Sequence, residues 1–173
     1  YCTRPKNVVI LTTKPMGNSM LVITYVGQPL AGKKTNIEEL IKLIAKKSGN
    51  KTKTNLYVSD KIHGILVSEF NLSYLEVPKS INQMDIKVVA FPSNLLTATE
   101  NIRKNLYELS DGIVFLVDSC WEYRNWGGPA IWKEMKSVLS NKVEYVPIVI
   151  QYNKRDFPNQ KDIKILKQWY GIN

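Results

Sequence analysis

MLVITYVGQPLAGKKTNIEELIKLIA, residues 20–45, decides the fold. Met20–Val26 is an apolar, β-branched run of strand length. The turn Gly27-Gln28-Pro29-Leu30-Ala31-Gly32-Lys33 follows, and then Ile37, Leu40, Ile41 and Ile44 recur at helical spacing, with Gly49 as the expected terminator. The turn carries the phosphate-loop pattern G-x-x-x-x-G-K in the strand–turn–helix setting that gives the pattern its meaning. Gly27 and Gly32 let the backbone take conformations that a Cβ forbids and bring N–H groups close to a phosphate. The helix N-terminus adds a favourable dipole, and the Lys33 ammonium reaches the outer phosphates. The next position, where a Ser or Thr would hold magnesium, is Lys34. Thr35 stands one place too late, so no metal ligand is assigned and Thr35 is only the nearest candidate.

Outward from this stretch, strands and helices alternate. Asn7–Thr13 reads as an additional N-terminal strand, joined to Met20–Val26 by the turn residues Lys14 to Asn18, as a hairpin or as a neighbouring strand. Leu56–Ser59, Ile65–Phe70 and Asp85–Phe91 are short strand candidates, and Pro78 marks a loop. A helix is expected over about Thr97 to Leu109, with Ile102, Leu106 and Leu109 on one face. Gly112–Asp118 reads as a buried strand, Pro129 as a first helical position, Ala130–Leu139 as a helix, Val146–Gln151 as a buried strand and Lys161–Tyr170 as a last helix. Apolar strands alternating with helices argue for an α/β domain with a mostly parallel sheet covered on both faces. Such sheets bind ligands at the C-terminal ends of their strands.

At 173 residues the chain is read as one domain, and 44% hydrophobic with 23% charged residues is an ordinary globular balance. No run approaches the roughly 20 apolar residues that span a bilayer. No secretory signal is visible, and with only Cys2 and Cys120 there is no disulfide framework, so a reducing cytoplasm is the expected setting. One His and two Cys argue against a structural zinc site. The net charge of +9 is concentrated at Lys42, Lys46, Lys47, Lys51 and Lys53, which read as a solvated helix face and the loop after it. A membrane surface is compatible with that charge but nothing else in the sequence supports one. Neither zinc-finger spacing nor an RNA-binding aromatic signature accompanies it, so no nucleic acid partner is expected.

A second motif, Asn153-Lys154-Arg155-Asp156, follows the strand Val146–Gln151 at the distance of an N-K-x-D guanine-recognition element. An Asp carboxylate accepts hydrogen bonds from both N1–H and the exocyclic amine of guanine, whereas adenine offers no donors in that arrangement. Such charge-assisted bonds are worth roughly 1.5–3 kcal/mol each, enough to decide between the bases. Lys154 is expected over the ring face, and Asn153 is expected to tie the loop to its neighbours.

With both motifs in place, Gly27–Thr35, Asp111–Ser119 and especially the run Val149 to Asn159 resemble the bacterial Ras-like small GTPases of the MglA type, the gliding and polarity GTPases. The resemblance covers most of the chain from Met20 to about Asn159. It implies a Ras-like phosphate-loop NTPase fold, bound GTP or GDP with magnesium, cycling between the two nucleotide forms, and a roadblock-type regulator as protein partner. It also implies a further strand and helix after the last expected helix, which the sequence as it stands lacks.

The resemblance breaks at the catalytic positions. The family's Thr-x-Pro-Gly-Gln switch motif falls on Ala90-Phe91-Pro92-Ser93-Asn94, so Ser93 replaces the glycine facing the γ-phosphate. Asn94 replaces the glutamine that orients water, and no Asp stands at Ala90. Lys34 either points away or brings its ammonium toward the β-phosphate. Hydrolysis is therefore expected to be slow or absent. No switch-I ligand is assignable among Ser68, Ser73 and Ser80, and His63 reads as a turn residue. Lys79 and Arg103 read as solvated or helix-surface cations before they read as charge-stabilising fingers. The loop Cys120 to Pro129, with Trp121, Tyr123, Arg124 and Trp126, has the composition of a protein-binding surface or of a cover for the helix that follows. Two readings are thus carried forward: a guanine-nucleotide-binding protein, and a nucleotide-free interaction module on the same fold.

Overall fold

The computed structural model describes residues 20–48, 57–59, 65–71, 84–90, 100–120, 127–141 and 145–172. Ten elements follow in chain order: β1 (Met20–Gly27), α1 (Lys33–Ser48), β2 (Tyr57–Ser59), β3 (Ile65–Asn71), β4 (Asp85–Ala90), α2 (Glu100–Leu109), β5 (Gly112–Asp118), α3 (Gly128–Ser140), β6 (Ile148–Asn153) and α4 (Ile163–Tyr170). The strands form one sheet in the order β2-β3-β4-β1-β5-β6. The four strands β4, β1, β5 and β6 run parallel, while β3 is antiparallel to both β4 and β2. The expectation of a mostly parallel sheet thus holds for the half that carries both motifs. The other edge is a hairpin-like antiparallel extension. This is an α/β architecture compatible with a Rossmann-like or phosphate-loop-like fold.

Side-chain alternation along β1 explains the layering, because successive residues of a strand face opposite sides. Tyr25 points to the side where α1 packs, in a cluster with Ile37, Ile44, Val88 and Ala90. Val26 points to the other side, where Tyr107 of α2, Met135 of α3, and Leu166 and Tyr170 of α4 close over Ile113, Phe115 and Val117. Phe115 is held there by edge-on contacts with Trp132 and Tyr170. The apolar spacing in α1 does what it predicts, since Ile37 and Ile44 are fully buried. Burying each of these side chains contributes about 1.5–3 kcal/mol.

Several boundaries move. α2 is described from Glu100, the expected residues Thr97 to Thr99 lying outside the described residues, and Leu109, expected on its apolar face, is exposed because the helix ends there and the chain turns into β5. That turn is pinned to β1: Asp111 N–H donates to Val22 O at 2.9 Å, and the Asp111 carboxylate accepts from Val22 N at 2.9 Å. Beside it, the Thr24 and Ser110 hydroxyls pair at 2.6 Å in the interior. β6 starts two residues later than expected and runs through Asn153, so the second motif begins inside the strand rather than after it. Pro129 lies in the first turn of α3, as expected of a residue with no N–H to leave unbonded. The expected strand Asn7–Thr13, the switch residues Phe91 to Asn94, Lys79, His63, Ser73, Ser80, Lys51, Lys53 and the aromatic residues 121–126 lie outside the described residues. Among the described residues, no helix is long and apolar enough to cross a membrane.

Candidate functional site

β1, β5 and β6 end side by side, so the turn after β1 and the loop after β6 open at the same edge of the sheet. Gly27 leaves β1 with a φ of 150°, and a Cβ there would collide with the carbonyl oxygen of Leu116 on β5. The chain then turns through Leu30, which takes a left-handed φ of 59° and is exposed, to Gly32 and the start of α1. Gly32 O accepts from Asn36 N–H at 2.9 Å, the first turn of the helix. The N–H groups of Lys34 and Thr35 therefore have no carbonyl one turn back to bond within the helix.

Lys33 turns back over this loop. Its ammonium donates to Gly27 O at 2.9 Å and to Gln28 O at 2.7 Å, and the side chain is largely buried. Burial lowers its pKa from the ordinary lysine value to about 8. Two backbone carbonyl oxygens and the surrounding burial thus hold the ammonium, and the desolvation of its charge is what depresses the pKa.

Lys34 answers the question its position raises. Its ammonium lies 3.6 Å from Glu38 one turn along α1, and the side chain is mostly solvent-exposed. It points away from the loop, so its charge does not stand in for a metal there. Thr35 is likewise exposed. Among the described residues, no group of three His, Cys, Asp or Glu side chains could hold a metal ion.

The second motif meets the first directly. Asn153, at the end of β6, donates through Nδ2 to Ala31 O in the turn after β1 at 2.8 Å. A Cβ on Gly32 would occupy the space of that same amide nitrogen, so glycine is required by the contact as well as by the turn. A second bridge runs from Gln151 Nε2 to Asn36 Oδ1 at 2.6 Å, and Asn36 Nδ2 donates in turn to Gly32 O at 3.0 Å. Together these amides clamp β6 to the loop and to α1.

Beyond Asn153 the backbone reverses through Lys154 at φ 60°. The Lys154 ammonium is turned onto the fully buried carboxylate of Asp118 at 2.6 Å. Asp118 also accepts from Cys120 N–H at 2.9 Å. Backbone bonds from Ser119 N to Asn153 O and from Lys161 N to Ser119 O fasten the loop at both ends. Asp156 is exposed and, among the described residues, makes no ion pair. Arg103, expected as a helix-surface cation, is turned onto a neighbouring helix. It forms a two-pronged pair with Glu134 of α3, at 3.0 and 2.8 Å, and both side chains are mostly buried.

Gln28, Pro29, Leu30 and Ala31 thus form the loop between the two glycines, Lys33 closes it, and Asn153 fastens it. Sequence reading missed four contributors: Asp118, Gln151, Asn36 and Tyr170, whose hydroxyl donates to Gln28 Oε1 at 2.7 Å. The first two stood in the stretches that carry the family resemblance, while Asn36 and Tyr170 gave no local signal. Compared with known proteins, the chain matches no family model and no curated protein.

Proposed function

We propose that the chain is a guanine-nucleotide-binding protein of the MglA-type Ras-like kind, with slow or absent GTP hydrolysis. The observation that supports this best is the Asn153 Nδ2 to Ala31 O bond, which joins the two motifs across 122 residues of chain at one edge of the sheet. A nucleotide has a phosphate end and a base end. The loop glycines, the ammonium of Lys33 and the first turn of α1 fit the phosphates. The carboxylate of Asp156 fits the two donors of guanine, at the rim beside Asn153 and Lys154.

Magnesium fits less well. Lys34 stands where a hydroxyl ligand belongs and turns onto Glu38, and Thr35 is exposed. The reading therefore has nucleotide held chiefly by the loop and Lys33, with weak dependence on magnesium. Asn94 and Ser93 at the switch positions remove the glutamine and the glycine that would serve hydrolysis. A roadblock-type partner belongs to the same reading.

The test is thermal unfolding of nucleotide-free protein with GDP, GTP and ATP, each with and without magnesium. A ligand at 100 times its Kd adds about 2.7 kcal/mol of stability. GDP and GTP are expected to stabilise and ATP not. In Asp156→Asn, GDP affinity is expected to fall by roughly tenfold to a hundredfold, the loss of one or more charge-assisted bonds. Unchanged affinity in that variant refutes the base assignment. No shift with any nucleotide refutes the binding role and favours a nucleotide-free interaction module.

A further inference from the structure

A buried polar contact joins the phosphate loop to α4. Gln28, the residue after Gly27, turns its side chain inward rather than toward solvent, and Tyr170, the last residue of α4, donates to its Oε1 at 2.7 Å. Both side chains are almost completely buried. The backbone of Gly128, the first residue of α3, seals the contact: a Cβ there would overlap both the Tyr170 hydroxyl and Gln28 Oε1. The Tyr170 ring is also fixed by its edge-on contact with Phe115, 5.8 Å between centroids.

α4 is a well-closed helix at both ends. Asp162 caps its start by accepting from Lys164 N–H at 2.6 Å. Gly171, at φ 62°, ends it with Ile172 N–H bonded to Lys167 O. Its N-terminal side leads directly from the base loop, where Lys161 is bonded to Ser119 and the Arg155 guanidinium to Lys161 O. α4 therefore follows the base loop at one end and touches the phosphate loop at the other.

We infer that Tyr170 is a positioning residue for the phosphate loop, acting through Gln28 to hold that loop in register with the base loop at the other end of α4. This rests on the guanine-nucleotide reading for its consequence in binding, although the effect on the loop does not depend on it. With the hydroxyl removed, Gln28 Oε1 loses its buried donor, and the side chain is freed to turn toward solvent and carry the Gly27–Ala31 backbone with it. The carbonyls of Gly27 and Gln28 that orient the Lys33 ammonium move too. Burial, and after it the Asp118 carboxylate, raise the Tyr170 pKa, so the hydroxyl stays protonated and remains a donor throughout the working pH range.

Tyr170→Phe deletes the hydroxyl and keeps the ring, and Gln28→Met deletes the acceptor at similar volume. Ile113→Val serves as a control, since it thins the same core cluster without touching the loop. Amide hydrogen exchange of residues 28–33 in nucleotide-free protein is the first readout, and GDP affinity well below the melting temperature is the second. Exchange in the loop is expected to quicken in Tyr170→Phe and Gln28→Met but not in Ile113→Val. The GDP Kd is expected to rise by about threefold to tenfold in either variant, and no further in the double variant. Unchanged loop exchange, or an equal response in Ile113→Val, overturns the positioning role. If the wild-type protein binds no GDP, the nucleotide reading falls while loop exchange still decides the role of Tyr170.

Discussion

Raising the pH of the nucleotide-free protein from 8 to 9.5 is expected to stabilise it, because Lys33 is buried in its own loop. Its folded pKa is about 8, against the ordinary 10.5. Between those values the unfolded chain holds the proton and the folded chain does not, so stability rises with pH across the interval. The cost of burying the charged ammonium is fully present below pH 8 and disappears above about 10.5. Integrating the two titrations gives a gain of about 1.5 kcal/mol from pH 8 to 9.5. The upper limit matters, because Tyr25, Tyr107 and Tyr170 have raised values and oppose the trend once unfolded tyrosines ionise near pH 10. Urea unfolding at pH 8.0, 8.5, 9.0 and 9.5 measures the slope, with Lys33→Met as reference because it removes the titrating group and nothing else that ionises. The wild type is expected to gain about 1.5 kcal/mol on the variant over this range. Parallel curves for the two proteins refute the buried, depressed lysine.

Other outcomes follow from the same geometry. A polyphosphate beside the Lys33 ammonium restores its charged form, so GDP affinity is expected to fall above pH 8, approaching about tenfold per pH unit, in isothermal titration; a flat profile between pH 8 and 9.5 places the phosphates elsewhere. Gly27→Ala drives a Cβ into Leu116 O at a φ of 150° and is expected to cost at least about 2 kcal/mol, read as a lowered urea midpoint. An unchanged midpoint contradicts the tight packing of β1 against β5 at that point. Glu134→Gln breaks the mostly buried pair with Arg103 that joins α2 to α3, and is expected to cost about 1–2 kcal/mol. Adding Arg103→Gln to that variant is expected to cost little more, and additive losses in the double variant would show that the two side chains are not coupled.

Much of this protein could be read from local sequence. The strand–turn–helix of residues 20–45 was legible because its three signals, an apolar β-branched run, two glycines flanking a tight turn and a helical repeat, all act over a few residues. β5 was placed at its observed limits because an apolar run closed by Asp111 on one side and by Asp118 and Ser119 on the other has few alternatives. Leu109 and the start of β6 were misjudged because burial at an element's end depends on where the chain goes next. The antiparallel pairing of β3 was equally invisible, since strand direction is set by connections and not by composition.

The two motifs declared themselves one by one, as chemistry carried on neighbouring residues. Whether they meet was a question for tertiary structure, which brings Asn153 onto Ala31 and Gln151 onto Asn36. It also turns Lys34 outward onto Glu38, Lys154 inward onto Asp118, and Tyr170 up beneath Gln28. The sequence by itself determined the strand, the glycine-flanked turn and the helix of residues 20–45, because backbone conformation and periodicity are short-range. Only the tertiary structure decided which polar side chains serve the site, because a long side chain has several partners within reach until packing and desolvation leave it one.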